Sequence, residues 1–261
     1  MPVLSIILPT YNEVGNIAEQ INVINRELEG EDFEILVVDD DSPDGTAEAV
    51  RRLSREIQNL RLIVRTDDKG LVQSIREGLA SAEGDICLWM DADLSMPASS
   101  IKTMIAKIRA GADLVVGSRY VEGGGFKGAD DRGHKTPLYY IWKNLQDTED
   151  SFINSAVSKY GNAFAQKVLD NRYYDYTSGF YAVRKSMINE IGLDGNYLDY
   201  CIGLLYKASV HDYKIYEIPV LITTRTKGIS KTSTNFMGII PIAWDCLKTM
   251  IKLKLKYRKR R

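Results

Sequence analysis

The chain has 261 residues, enough for one large α/β domain or that domain plus a small appendage, and its 44% apolar and 26% charged residues are those of an ordinary soluble globular protein. A formal net charge of −1 excludes a chain built as a whole for nucleic acid. Cys87, Cys201 and Cys246 are odd in number, far apart and without C-x-x-C spacing, which argues against a disulfide framework and a structural zinc site and suggests a reducing compartment. No charged-then-apolar leader precedes the first strand, and no apolar run approaches the roughly 20 residues that span a bilayer. A cytoplasmic protein that does not cross a membrane is expected.

Val3 to Leu8 is an apolar run broken only at Ser5, as expected for a strand buried on both faces of a parallel sheet, and it stops at Pro9-Thr-Tyr11-Asn-Glu13. Ile17, Ile21, Ile24 and Leu28 then recur at helical spacing. A second buried strand, Phe33 to Val38, ends in Asp39-Asp40-Asp41-Ser-Pro-Asp44-Gly-Thr46 and is followed by an amphipathic helix from Ala47 to Ile57. Leu60 to Val64 is a third strand, the Lys69-Gly70 turn follows, and a helix runs to about Ala82. The fourth strand, Ile86 to Met90, carries Asp91-Ala92-Asp93-Leu-Ser95 at its tip. Ile101, Ile105 and Ile108 mark another helix, and Asp113 to Val116 a fifth strand that runs into Gly117-Ser-Arg119-Tyr120. Strand and helix alternate with short links, so the class is α/β with a Rossmann-like, mostly parallel sheet flanked by helices.

Right-handed crossovers place the strand ends on one rim, where ligands of open α/β sheets collect. Four of these strands end in polar residues: Tyr11 with Glu13, Asp39 with Asp40, Asp91 with Asp93, and Arg119. The first turn lacks G-x-G-x-x-G, which argues against a dinucleotide cofactor. Acidic tips suit ribose hydroxyls or a base edge, both of which donate hydrogen bonds. Asp39 and Asp40 are expected to face the ligand, while Asp44 and Thr46 hold the turn. Two aspartates one small residue apart can both turn toward a hard divalent cation; they can also merely cap the helix that Pro97 opens.

Beyond Val121 the pattern loosens. A glycine-rich loop carries Lys127, Asp130, Asp131, Arg132, His134 and Lys135, and reads either as a lid over the rim or as a solvated loop. Leu138 to Leu169 looks helical, with a break near 146–150. Asp175-Tyr-Thr177-Ser178-Gly179 leads into a strand, Phe180 to Val183; Tyr197 to Ser209 reads as a helix and Lys214 to Thr224 as a strand. That strand ends in Arg225-Thr-Lys-Gly228-Ile-Ser230-Lys231, a cationic loop suited to phosphate oxygens or simply a solvated basic turn. In the tail, Phe236, Ile240, Trp244, Leu247 and Ile251 share one helical face, and Lys248, Lys252, Lys254, Lys256, Arg258, Lys259, Arg260 and Arg261 follow. The tail is a helix lying in an anionic membrane interface or a last core helix with a basic end.

Taken in order over about residues 3–232, Pro9-Thr-Tyr-Asn-Glu13, Val38-Asp-Asp-Asp-Ser-Pro-Asp-Gly-Thr46, Lys69-Gly-Leu71, Asp91-Ala-Asp-Leu-Ser95, Gly117-Ser-Arg-Tyr120, Thr177-Ser-Gly-Phe180 and Arg225-x-x-Gly228-x-Ser-Lys231 resemble the family 2 glycosyltransferases of the nucleotide-diphospho-sugar (GT-A) fold. Within that family the likeness is to the polyprenyl- and dolichol-phosphate sugar synthases, the dolichol-phosphate mannose synthases among them. The resemblance implies a transferase domain over 1–232, with a nucleotide-sugar half over 1–120, an acceptor half over 121–232 whose segment 121–170 is an insertion, and an amphipathic basic helix over 233–261. It implies that Pro9, Tyr11, Glu13 and Asp39 hold the nucleotide, and that Asp40, Lys69, Gly70, Ala92 and Ser178, which fall in matching pieces, touch substrate. Asp91 and Asp93 would bind Mg²⁺ or Mn²⁺ at the donor diphosphate, with Ser95 as a third ligand or the holder of its water. Arg119, helped by Arg132, would meet an acceptor phosphate; Arg225 and Lys231 would close over the diphosphate.

The implied reaction is an inverting transfer of a hexose from a nucleotide sugar to a polyprenyl phosphate, by an enzyme peripheral to the cytoplasmic face of a membrane. Transfer to a sugar hydroxyl and a silent nucleotide-sugar-binding scaffold are the alternatives. Where relatives carry an acid in the helix around Cys201, this chain has Gly203, with Asp199 nearby. A phosphate acceptor, already largely dianionic with a second pKa of about 6, needs no strong base; a hydroxyl does. GDP versus UDP, the sugar, and whether the enzyme forms a homo-oligomer are left open by the residues.

Overall fold

The computed structural model describes residues 3–126, 151–223 and 236–257. The amino-terminal half alternates β1 (Leu4–Thr10), α1 (Ile17–Glu27), β2 (Phe33–Asp39), α2 (Thr46–Leu53), β3 (Leu60–Val64), α3 (Leu71–Ser81), β4 (Ile86–Trp89), α4 (Ser100–Arg109) and β5 (Leu114–Ser118). There follow β6 (Gly125–Phe126), α5 (Ser151–Val168), β7 (Tyr181–Arg184), α6 (Lys185–Ile191), α7 (Asp199–Val210), β8 (Ile215–Pro219), β9 (Leu221–Ile222) and α8 (Phe236–Lys256).

Seven strands form one sheet in the order β3-β2-β1-β4-β7-β5-β8. The strands are apolar on both faces because both faces of this sheet are covered; the polar exceptions Ser5 and Glu34 are buried and pair with each other at 2.7 Å. Ile7, Leu36, Val38 and Trp89 face a core shared with α3, α6, α7 and α8, while Ile6, Leu8, Ile35, Val37 and Leu88 face one shared with α1, α2 and α4. Alternate residues of each strand thus enter different cores, and a one-residue slip of register would exchange them.

Two features differ from the strand-by-strand expectation. First, β7 inserts antiparallel between β4 and β5, pairing Trp89 with Tyr181 on one side and Val116 with Tyr181 on the other. Its reversed direction brings its amino-terminal end, with Thr177, Ser178 and Gly179, to the rim where β1, β2, β4 and β5 end. Second, the run expected as one strand from Lys214 to Thr224 is two. Pro219, which has no N–H to extend a ladder, ends β8, and β9 pairs with β6 in a separate two-stranded sheet.

Helix α8 is amphipathic twice over. Met250, Leu253 and Tyr257 are buried in the core beside α7, with Cys246 partly buried against it, whereas Trp244, Ile251 and Leu255 are 58%, 52% and 66% exposed. Leu247, expected on the outer stripe, is half-buried and lines the cavity described below. Among the described residues no helix is long and apolar enough to cross a membrane. Arg132, His134, Arg225, Lys231 and the basic end at 258–261 lie outside the described residues, as do the side chains of Phe236 and Ile240.

Candidate active site

A cavity of about 1380 Å³ opens at the rim. Of the residues singled out in the sequence, Pro9, Tyr11, Glu13, Asp40, Lys69, Gly70, Asp91, Ala92, Ser95, Arg119 and Ser178 line it. Asp39 and Asp93 do not.

At the end formed by β1, β2 and α3 the polar groups are tightly held. Asp40 accepts from Arg65 Nη1 at 2.6 Å, from Ser74 Oγ at 2.7 Å and from the Gly70 N–H at 2.6 Å. It therefore fixes the Lys69-Gly70 turn at the start of α3, in the form of a buried ion pair with Arg65. Lys69 reaches back to Asp41 at 2.9 Å, a hydrogen bond that raises its pKa. Asp39, expected to face the ligand, is fully buried behind this wall: Thr10 Oγ1, the Ser42 N–H and Ser42 Oγ all donate to its carboxylate, at 2.8, 2.8 and 2.6 Å. Its burial follows from β2 carrying its ladder one residue further than the sequence indicated. Asp44 and Thr46 hold the turn as expected, with Asp44 accepting from Thr46 and from the Val14 N–H.

The tip of β4 divides its two acids. Asp91 is half-buried on the cavity surface, while Asp93 is only 2% exposed and its Oδ1 accepts the Ser95 N–H at 3.0 Å, closing an Asx turn. The expectation that both carboxylates turn to one ion is thus modified: one faces the cavity and the other braces the turn beneath it. Between them and Ser95, Leu94 has φ +65°, a conformation costing a bulky L-residue about 1–3 kcal/mol unless the surroundings hold it. Gly179 approaches from β7 so closely that an added Cβ would lie 3.2 Å from Met96 Cε and 4.0 Å from Asp91 Oδ1.

The oxygen donors on the cavity surface at this corner are Asp91 and Ser95, with Met96 beside them, its Sδ accepting the Asp91 N–H at 3.4 Å. Such a set fits Mg²⁺ or Mn²⁺, hard ions commonly bound through one or two carboxylates with substrate phosphates and water completing the shell. Among the described residues no three His, Cys, Asp or Glu side chains converge on a metal position.

Arg119 is held by a polar network that the sequence reading did not include. Fully buried Asp175 accepts from Arg119 N and Nε, both at 2.9 Å, and from Nη2 at 2.7 Å; Nη2 also donates to Thr177 Oγ1 at 2.8 Å. Burial works against the guanidinium charge, yet Asp175 outweighs it and raises the pKa. Behind this pair, Glu217 accepts the N–H groups of Tyr174 and Asp175, and buried Asn162 of α5 donates to Thr177 Oγ1 at 2.7 Å while accepting the Tyr176 N–H at 2.6 Å. The segment before β7, braced by β8 and α5, thereby fixes one cation at the cavity wall.

Beyond Arg119 the wall turns apolar. Phe164 and Ala165 of α5, Leu198 and Ile202 near and in α7, and Ile242, Ala243, Leu247 and Met250 of α8 line this arm. Asp199 does not line the cavity; its Oδ1 holds the turn that leads into α7 by accepting the Asn196 and Tyr197 N–H groups at 3.0 and 2.9 Å. Gly203 likewise places no side chain there. The loop before α7 is pinned by cations: Arg76 Nε donates to the Leu193 carbonyl, and buried Lys207 to those of Ile191 and Gly192 and to Asp194. Desolvation lowers the Lys207 pKa.

Comparison with known proteins decides the family. The sequence model described as glycosyl transferase family 2 matches residues 5–192. The chain belongs to glycosyltransferase family 2. A dolichol-phosphate mannosyltransferase of Pyrococcus furiosus is 34% identical over 87% of this chain, and a polyprenol monophosphomannose synthase of Mycolicibacterium smegmatis is 29% identical over 87%. The match covers 58% of the first relative and 80% of the second, so this chain spans less than two thirds of the Pyrococcus protein. The glucosyl-3-phosphoglycerate synthase of Mycobacterium tuberculosis, solved with Mn²⁺, UDP-glucose and phosphoglyceric acid, superposes with a TM-score of 0.66 at 16% identity, covering 97% of this chain and 79% of that one. The same enzyme has been solved with Mg²⁺ and UDP, at a TM-score of 0.66. The shared architecture is the GT-A fold of the family.

Proposed function

We propose that this chain is a divalent-metal-dependent, inverting hexosyltransferase that moves a sugar from a nucleoside diphosphate to a polyprenyl phosphate at a membrane surface. Support comes from the names of its relatives, from the Mn²⁺, Mg²⁺ and UDP held by its structural neighbour, and above all from one observation. A single cavity is lined both by a polar rim carrying Asp91 and by apolar side chains of α5, α7 and α8, with Arg119, tied through Thr177 to α5, also in its wall. Donor and acceptor of that reaction differ in the same way: one is polar throughout, the other a phosphate on a hydrocarbon chain.

Tyr11, Glu13, Lys69 and the Asp40-held Gly70 turn receive the nucleotide, with Pro9 and Ala92 as backbone-close wall. Asp39 supports them from behind. Asp91 and Ser95 hold Mg²⁺ or Mn²⁺, which when bound offsets the negative charge of the departing diphosphate. Arg119, fixed by Asp175, orients the acceptor phosphate, with Ser178 beside it and Arg132 as its proposed helper. A phosphate oxygen then forms a bond to the anomeric carbon as the bond to the nucleoside diphosphate breaks, its electron pair leaving with the diphosphate oxygen that Arg225 and Lys231 stabilise. The nucleophile is already deprotonated, its second pKa being about 6, which suits a wall where Asp199 and Gly203 supply no base. Trp244, Ile251 and Leu255, flanked by exposed Lys248 and Lys252, give α8 an outward face suited to an anionic interface.

The test offers radiolabelled GDP- and UDP-sugars with Mn²⁺ to polyprenyl phosphate and, separately, to the unphosphorylated polyprenol. Organic-extractable label that depends on the lipid phosphate is expected. Label passing only to a soluble saccharide would overturn the acceptor assignment.

A further inference from the structure

Two residues outside the substrate wall converge on the turn that carries Asp91, Asp93 and Ser95. Gln20 is 1% exposed on the buried face of α1; its Oε1 accepts the Leu94 N–H at 3.2 Å, and its Nε2 approaches Met90 Sδ at 3.7 Å. From the other side, the Thr223 N–H donates to the Ser95 carbonyl at 2.9 Å, and Thr223 Oγ1 lies 3.3 Å from both the Leu94 and the Ser95 carbonyls. Leu94, the residue with φ +65°, is thus gripped on its N–H by one element and on its carbonyl by another. An unfavourable backbone conformation persists only where neighbours over-determine it. Here the neighbours are a buried amide and a threonine from segments 74 and 129 residues away in sequence.

We infer that Gln20 and Thr223 are positioning residues for the divalent cation: they hold the Asp91–Ser95 turn in the form that presents Asp91 and Ser95 together to the cavity. The inference rests on the metal reading proposed above. Residues that orient ligands from behind change metal affinity by about 10–100-fold when lost. Gln20→Leu removes the side-chain bond to the Leu94 N–H, and Thr223→Val removes the hydroxyl contacts to the Leu94 and Ser95 carbonyls while leaving the Thr223 N–H to Ser95 bond in place, both at nearly constant volume; Gln20→Glu and Thr223→Ser retain an acceptor and a hydroxyl respectively.

The experiment titrates Mn²⁺ into the full chain with saturating UDP and, in a second series, GDP, reading free Mn²⁺ by electron paramagnetic resonance and thermal stability in parallel. Wild-type binding is expected to weaken about 10-fold in Gln20→Leu and in Thr223→Val, and to recover largely in Gln20→Glu and Thr223→Ser. The Mn²⁺ concentration for half-maximal transfer should rise correspondingly, with less change in kcat at saturating metal. Variants that lose thermal stability but bind Mn²⁺ like the wild type would overturn the positioning role and leave the metal reading intact. A wild type that binds no Mn²⁺ with either nucleotide would overturn both.

Discussion

At the donor end of the cavity each described acid beneath or beside the wall has a named partner: Asp40 takes three donors, Asp39 three, and Asp93 a backbone N–H. At the proposed acceptor end, the part of the wall that comes from α5, α7 and α8 is mainly hydrocarbon, with Ser158 among its few polar groups, and Tyr160 and Phe164 within it are 74% and 48% exposed. The donor end is rigid because hydrogen bonds are directional, so each added partner narrows the geometry further. The acceptor end is specified by apolarity and shape, which a long flexible chain can satisfy in many conformations. On the proposed reading, a polar donor would be read by fixed contacts and a lipid by solvent exclusion.

The largest effect expected from breaking this division is at Asp91. Asp91→Asn removes the cavity-facing carboxylate and should lower kcat for transfer about 10²–10³-fold, with thermal stability close to wild type. Near-normal transfer with normal metal dependence would sink the metal assignment. Next is the junction. Arg119→Ala leaves Asp175 buried without its cation, and breaking a buried pair in this way costs about 3–5 kcal/mol, readable as a lowered urea midpoint. Arg119→Lys should restore little, because Asp175 and Thr177 are matched to the guanidinium fork; full rescue by lysine would show that charge alone matters there.

Within the acceptor end, the two faces of α8 should separate. Ile242→Asp is expected to raise KM for a long-chain polyprenyl phosphate about 10-fold, a modest share of the 2.5–3.5 kcal/mol that an acid costs in lipid, while KM for the nucleotide sugar stays put. Trp244→Ser should instead weaken sedimentation with anionic liposomes and leave detergent-phase kinetics alone. Equal effects of both on both readouts would erase the distinction. The smallest effect concerns Asp170, which ties the end of α5 to α7 through Ser209 Oγ at 2.5 Å and also binds Arg172. Burial opposes its ionisation, but Arg172 and Ser209 outweigh burial and bring its pKa from 3.8 down to about 2. A depressed carboxylate stabilises the fold fully above about pH 4, and that contribution is lost as pH falls toward 2. Asp170→Asn should therefore flatten stability over that window, and an unchanged acid slope measured by denaturation would remove Asp170 from the account.

Much of this was legible in the residues. Apolar runs alternating with helical periodicity gave the parallel half nearly strand for strand, and the polar strand tips marked the rim. Direction was not legible: nothing in Tyr181-Ala-Val-Arg184 distinguishes a parallel from an antiparallel strand, because alternation is the same either way. Nor does D-x-D spacing say which acid faces outward, since that depends on the turn Ser95 closes. Gln20 was findable, being a polar residue inside the Ile17-Ile21-Ile24 stripe, where burial demands a partner. Asp175, Asn162 and Thr223 were not, because their importance comes from partners 14 to 129 residues away. The second apolar stripe of α8, through Cys246, Met250, Leu253 and Tyr257, was hidden by the first, since two stripes on one helix blur each other's period.

That doubly apolar helix fixes a length scale. With α8 lying flat in the interface as proposed, its own thickness, about 10 Å, is the height separating the bilayer from the catalytic floor. On that proposal only the first few isoprene units of the acceptor would need to climb out past its side, and the remainder of the lipid would stay dissolved in the membrane.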